Sequence, residues 1–304
     1  MGVVYIIRKV EALFDITLIG VIKMNRQKRV AAIHDISCFG RCSLTVALPI
    51  ISAAGIECTV LPTAVLSTHT GGFKDFTCRD LTEDIMPIAK HWQTLPIEFD
   101  AIYTGYLGSF EQLDIVSEFF DMFRKKDTLV CIDPVMADNG KLYGAFGPDF
   151  PKGMKKLASK ADVVIPNITE ACLMLEKEYI EGPYTEKYIK DLLLSLAEIG
   201  PKKVVLTGVY YNDFELGAAT YDKEKNEFGF YAGKRIEGYY HGTGDVFGSA
   251  LLASMLKGRN LIDSAKVAVD FTVDSIIRTY GAKTDVRFGV NFEEGLGALA
   301  KELK

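Results

Sequence analysis

From residue 29 onward, short β-branched runs alternate with longer amphipathic runs, and this rhythm constrains the fold more than any other feature of the chain. It is the pattern of parallel strands joined by crossover helices. The spacing predicts strands over 29–34 (RVAAIH), 57–61 (ECTVL), 101–104 (AIYT), 128–132 (TLVCI), 162–165 (DVVI) and 203–207 (KVVLT). Their near-continuous apolar character predicts a sheet covered on both faces. Helices are expected over 44–54, 81–92, 110–125, 169–177, 186–199, 245–257 and 262–280. The stretch 216–236, with YDKEKNEFGFYAGKRI, breaks the rhythm and reads as an antiparallel hairpin at a sheet edge. There is no internal repeat, low-complexity linker or Pro/Ser-rich boundary, so the fold class expected is α/β, in a single domain.

The 304 residues are 48% hydrophobic and 25% charged, with a net charge of −5 and no Lys/Arg block, which excludes an electrostatic footprint for nucleic acid. Six cysteines (38, 42, 58, 78, 131 and 172) form no CxxC pair and have no histidine at metal-ligand spacing, so they read as reduced thiols of a cytoplasmic protein. The N-terminal apolar run, 16–22, is far short of the ~20 residues a membrane-spanning helix needs. No cleavage pattern follows it. Residues 1–23 are therefore expected to be an appendage, with residues 24–304 forming the domain.

In an open parallel sheet, ligands bind outside the carboxyl ends of the strands. The loops expected there are HDISCFG (34–40), STHTGGF (67–73), TGYLGS (104–109), DPVMADNGKLY (133–143), PNITE (166–170) and TGV (207–209). A last stretch, HGTGDVFGSALLASML (241–256), sets an acid in a glycine turn that feeds a helix. It is neither a P-loop nor a dinucleotide motif. Gly242, Thr243 and Gly244 offer amide donors to an anion. Asp245 is then either an ordinary N-cap or a general base that takes a proton from an incoming hydroxyl beside that anion hole. Transfer of a phosphoryl group also calls for a hard cation with oxygen ligands, for which Asp133, Asp138, Asn167 and Glu170 supply groups. Each also has a local alternative: Asp133 and Asp138 as turn formers, Asn167 with Glu170 as a helix start.

The set CIDPVMADNGKLY, IPNITEA, VVLTG and HGTGDVFGSALLA, in this order, resembles the ribokinase-like superfamily of small-molecule kinases, from about Arg29 to the C-terminus. AVLSTHTGGF and TGYLGS resemble its pyridoxal kinase branch, which salvages vitamin B6. The glycine pair and β-lid of the sugar kinases are not evident. The GSDxSGGAG loop and the motif cysteine of hydroxymethylpyrimidine kinases are replaced here by HDISCFGRCSL and Asp245.

The resemblance implies a mostly parallel central sheet, ATP as co-substrate, Mg²⁺ with room for a monovalent cation, a B6 vitamer as substrate, and a homodimer. It makes Asp245 the base for the vitamer's 5′-hydroxymethyl group and Gly242, Thr243 and Gly244 the anion hole. Asp133, Asn167 and Glu170 would hold phosphates and metal, partly through water, with Asp138 a further metal ligand and Thr207 along the ATP. His69, Thr70, Gly71 and Tyr106 would line the ring site. Asp35 stands where many members of the branch have serine, and would accept a hydrogen bond from the ring's 3-hydroxyl or protonated nitrogen. Two alternatives remain open: a hydroxymethylpyrimidine or other small-molecule kinase of the same fold, and a non-catalytic vitamer-binding regulator.

Overall fold

The computed structural model describes residues 26–304, so the expected appendage at 1–23 lies outside the described residues. Strands are β1 (Arg29–Phe39), β2 (Glu57–Thr68), β3 (Cys78–Asp80), β4 (Ala101–Thr104), β5 (Leu129–Ile132), β6 (Ala137–Asp138), β7 (Lys141–Leu142), β8 (Val163–Val164), β9 (Lys203–Val209), β10 (Glu215–Asp222) and β11 (Glu227–Lys234). Helices are α1 (Leu44–Ala53), α2 (Thr82–Gln93), α3 (Phe110–Phe123), α4 (Phe150–Ala158), α5 (Ile168–Met174), α6 (Glu186–Ala197), α7 (Thr243–Leu256), α8 (Leu261–Ala282) and α9 (Leu296–Glu302).

The main sheet has the order β11-β10-β9-β8-β5-β4-β1-β2-β3. From β2 through β9 all neighbours are parallel, while β3 and the β10–β11 hairpin run antiparallel at the two edges. The chain steps from β1 outward to β2 and then returns to β4 on the other side of β1, which places the topological switch between β1 and β4. Ligand sites form at such switches because flanking loops diverge there.

Two apolar layers cover the sheet. One joins Ile33, Ile102 and Val130 to α2 through α6. The other joins Val30, Tyr103 and Val205 to α1, α7, α8 and α9. Helix α7 is buried on nearly all sides from Val246 to Ser254, which explains an apolar run with no polar stripe. Its Gly248 is required by packing, because a Cβ there would strike the Tyr103 hydroxyl. No helix among the described residues is long and apolar enough to cross a membrane.

The first two strands depart from the expectation. Most of the loop expected at 34–40 and the start of the one expected at 67–73 are strand: β1 runs on to Phe39 and β2 to Thr68. Between His34 and Ile36 the register shifts, with Thr63 and Ala64 on β2 facing the single Asp35. Beyond that bulge, Ile36, Ser37 and Phe39 pair with Val65, Leu66 and Thr68, and β3 adds a third strand. The result is a small flap, a three-stranded extension of this edge of the sheet beyond the bulge. Its partners are distant in sequence, so the polar HDISCF stretch gave no local sign of it. The helix α4 was also missed, because FPKGMKKLA is short and opens with proline and glycine.

Candidate active site

A cavity of about 790 Å³ opens over the carboxyl ends of β1, β4, β5, β8 and β9. The structure brings every residue singled out above to its wall: Asp35, His69, Thr70, Gly71 and Tyr106 at one end, Asp133, Asp138, Asn167, Glu170 and Thr207 at the other, with Gly242 through Asp245 between them.

Helix α7 begins two residues earlier than expected. Gly242 holds φ 75° and serves as its N-cap without any side-chain cap. Glycine is needed there for the left-handed backbone and because a Cβ would strike the Arg41 carbonyl. Asp245 therefore sits in the first turn, past the cap position, and the N-cap reading is excluded. Gly244 differs from Gly242: a Cβ there would meet only the Asp133 carboxylate, at 4.0 Å, so no neighbour crowds this residue on the side facing Asp133, and it lines the cavity. Uncapped first-turn amides at a cavity wall suit an anion.

Asp245 is half-buried, and burial with the nearby Asp35 charge raises its pKa to about 7, against a lowering by the Ser43 backbone amide. A carboxyl titrating near neutrality is placed for proton transfer. Asp133 is buried, and desolvation together with Glu170 and Asp245 pushes its pKa well up. No donor among the described residues reaches its oxygens.

Asn167 and Glu170 form a capping box. Asn167 Oδ1 accepts from the Glu170 amide at 2.9 Å, and Glu170 Oε2 accepts from the Asn167 amide at 2.9 Å. The local reading of this pair is thus observed, and it carries more than a helix start. Glu170 Oε1 also accepts from the Met136 amide at 3.1 Å, and Asn167 Nδ2 donates to the Ala137 carbonyl at 2.8 Å. The box therefore clamps the segment between Asp133 and Asp138. Asp138 is half-buried and accepts from the Asn139 amide at 2.8 Å, opposite Tyr239. Thr207 bridges to Asn167 across adjoining strand ends.

The positive charge of a Mg²⁺ ion would relieve the crowding of Asp133, Glu170 and Asp245, so the donor set fits it. Among the described residues no three carboxylate, imidazole or thiol groups converge as a cage. With both Glu170 oxygens already accepting, that ion would draw on water and phosphate oxygens as well as on Asp133.

At the other end, Asp35 is buried and accepts from Ser43 Oγ at 2.5 Å and Ser37 Oγ at 3.1 Å. Burial still leaves its pKa raised. His69 is nearly enclosed. Its Nε2 donates to the Arg287 carbonyl at 2.6 Å and its Nδ1 accepts from the Gly71 amide at 3.1 Å, which together fix one neutral tautomer. Burial keeps its pKa low. Phe39 and Phe73 of the flap pack on Phe288, at ring distances of 5.0 and 6.3 Å. The 3₁₀ turn Val286–Phe288, near the C-terminus, thus closes the flap side.

Sequence reasoning missed several lining residues. His241 lies 4.9 Å from the His69 ring and immediately precedes the glycine turn, which was a signal available in the sequence. Val269, Thr272, Val273 and Ile276 of α8 form an apolar wall facing the β10–β11 hairpin. Their helical spacing looked like ordinary core.

The profile of the phosphomethylpyrimidine kinase family matches residues 48–288. Among solved structures, a candidate phosphomethylpyrimidine kinase from Bacteroides thetaiotaomicron VPI-5482, crystallised with pyridoxal, is 39% identical, with a TM-score of 0.86 over 90% of this chain and 96% of that one. The pyridoxal kinase of Lactobacillus plantarum is 28% identical, with a TM-score of 0.83 over 91% and 98%. Among curated relatives, the Arabidopsis thaliana pyridoxal kinase is 30% identical over 58% of this chain. The chain spans 57% of that relative's length, and 42% of the Arabidopsis bifunctional thiamine enzyme TH1, to which it is 25% identical over 75% of its own length.

Proposed function

This chain belongs to the phosphomethylpyrimidine kinase family and has the ribokinase-like fold, and from that premise we propose that it phosphorylates the 5′-hydroxymethyl group of a B6 vitamer at the expense of ATP. The observation that carries this reading is the placement of Asp245: a carboxyl with a pKa of about 7, beside uncapped helix amides, in a cavity that also holds Asp133 and Asp35.

Asp245 takes the proton of the hydroxyl as its oxygen bonds to the γ-phosphorus, while the bond from that phosphorus to the β,γ-bridging oxygen breaks and ADP leaves. Amides of Gly242, Thr243 and Gly244 face the charge on the transferring group. Asp133, with Asp138 and Glu170 through water, would hold Mg²⁺, which when bound neutralises charge between the donor phosphates. Thr207 lies along the nucleotide, and the apolar wall of α8 suits its base. At the ring end, Asp35 is an acceptor that a pyridinium N–H or a 3-hydroxyl can satisfy.

A second reading, phosphorylation of a hydroxymethylpyrimidine, is favoured by the family profile itself and by the Aquifex aeolicus hydroxymethylpyrimidine/phosphomethylpyrimidine kinase, 26% identical over 61% of this chain. A coupled assay of ADP release with pyridoxal, pyridoxine, pyridoxamine and hydroxymethylpyrimidine separates the two. A vitamer is expected to give the highest kcat/KM. A pyrimidine ranking first overturns the vitamer assignment, and no turnover of any of them leaves the non-catalytic regulator.

A further inference from the structure

Ser43 immediately precedes α1, and its backbone is out of place for a serine. It adopts φ 57°, ψ −130°, a conformation open to glycine and costly for any residue with a Cβ. It also forgoes the usual reward of its position: as N-cap of α1 its side chain makes no capping hydrogen bond. The hydroxyl turns instead to Asp35, donating at 2.5 Å. The amide of the same residue faces the Asp245 carboxyl. The preceding segment is wedged tightly, since a Cβ on Gly242 or on Gly289 would run into Arg41. Strain of this kind persists only where surrounding contacts over-determine it, and it concentrates at functional sites.

We infer that Ser43 is a positioning residue that ties the two ends of the substrate together: its hydroxyl orients Asp35 toward the ring and its strained peptide presents an amide to Asp245. One residue thereby sets the separation between the group that reads the ring and the group that takes the proton. This inference rests on the kinase reading, and it concerns any aromatic alcohol held between these two carboxylates. The groups facing Asp35 are Cys42 from the turn between β1 and α1, His69 just past β2, Cys78 on β3, Tyr106 after β4 and Asp245 on α7. Within that set the two serine hydroxyls act to keep Asp35 ionised.

Two substitutions separate the hydroxyl from the amide. Ser43→Gly removes the hydroxyl but adopts the same backbone without strain, so the amide stays at Asp245. Ser43→Ala removes the hydroxyl and keeps the strain, so the peptide relaxes away. With whichever ring alcohol the wild type phosphorylates, Ser43→Gly is expected to raise the ring KM about tenfold, to leave kcat and the ATP KM within about twofold, and to move the acid limb of kcat/KM to higher pH. Ser43→Ala should do the same to the ring KM and also lower kcat by at least about tenfold. Relief of strain predicts a Tm for Ser43→Gly about 2–4 °C above that of Ser43→Ala. A glycine variant with wild-type ring KM and pH limb overturns the inference, as does an alanine variant with wild-type kcat. Failure of the kinase reading would show differently, as a wild-type protein that phosphorylates none of the ring alcohols yet responds to Ser43→Gly in calorimetric binding of pyridoxal.

Discussion

At the phosphate end of the cavity, the working groups are held by contacts a few residues long: the Gly242 turn enters α7 directly, and the Asn167–Glu170 box closes within one helical turn. At the ring end, the groups are held across the whole chain. His69 is tied to Arg287, Phe39 packs on Phe288, and Asp35 owes its setting to a register shift against β2. The difference teaches that a site can be half local and half global. Phosphate needs only oriented amides and a cation that carboxylates can hold, which short motifs supply, whereas enclosing a flat ring needs walls that several distant segments must build.

The sharpest way to break this contrast is Asp245→Asn, which removes the carboxyl at the start of α7 while keeping its shape. Loss of a general base predicts a fall in kcat of about 10²–10⁴-fold, with both KM values nearly unchanged. The base must be ionised, so kcat of the wild type should rise with pH through a limb near 7, and a cation bound at Asp133 would pull that limb lower. Stability should run the opposite way. The folded-state pKa lies above the ordinary 3.8, so the carboxyl's stabilising contribution is present below about 4 and is lost as pH climbs through about 7. The asparagine variant should therefore melt above the wild type at pH 8, and the difference should vanish near pH 4. A variant that keeps near-normal turnover would reduce Asp245 to a helix-end acid.

What was legible in the sequence follows the same division. The strands at Ala101–Thr104 and Lys203–Val209, the edge hairpin and the strand-end loops could be read because periodicity and turn chemistry are local properties. The glycine turn and the Asn167–Glu170 spacing were legible for the same reason. The flap was not, since its pairing partners lie about thirty residues apart and the bulge at Asp35 hides the alternation. Ser43 was invisible because its significance lies in a backbone angle, and the 3₁₀ turn at Val286–Phe288 because nothing near it in sequence belongs to the site.

Glu170→Gln tests how far the phosphate end is self-contained. Both Glu170 oxygens accept from backbone amides, at Met136 and at Asn167. An amide side chain can accept at only one of them and sets a donor against the other. The cost expected is about 1–3 kcal/mol, read as a fall in Tm of several degrees. The loop between Asp133 and Asp138 then loses its clamp, so the ATP KM should rise about tenfold while the KM for the ring changes little. An equal rise in both would show that the two ends share a scaffold at this point, and would erase the contrast.

The smallest effects expected are at His69, and they decide whether the ring end is a wall or a contact. Its two nitrogens do separate jobs: Nε2 donates to Arg287 and Nδ1 accepts from Gly71. Asparagine can reproduce the second bond and glutamine the first, so the pair of variants distinguishes the strap to the 3₁₀ turn from the turn at Gly71. If the strap is what matters, His69→Asn should raise the ring KM about threefold to tenfold while His69→Gln stays within about twofold, and neither should move the ATP KM. In the wild type, burial holds the ring neutral at pH 7, and only protonation on the acid side would remove the acceptor at Nδ1. If the strap is what matters, the protonated ring still donates from Nε2 to Arg287, so the acid-side pH profile of the ring KM should be the same in the wild type and in His69→Gln. Should both variants instead raise the ring KM equally and strongly, His69 touches the substrate itself, and the ring end is built from direct contacts after all.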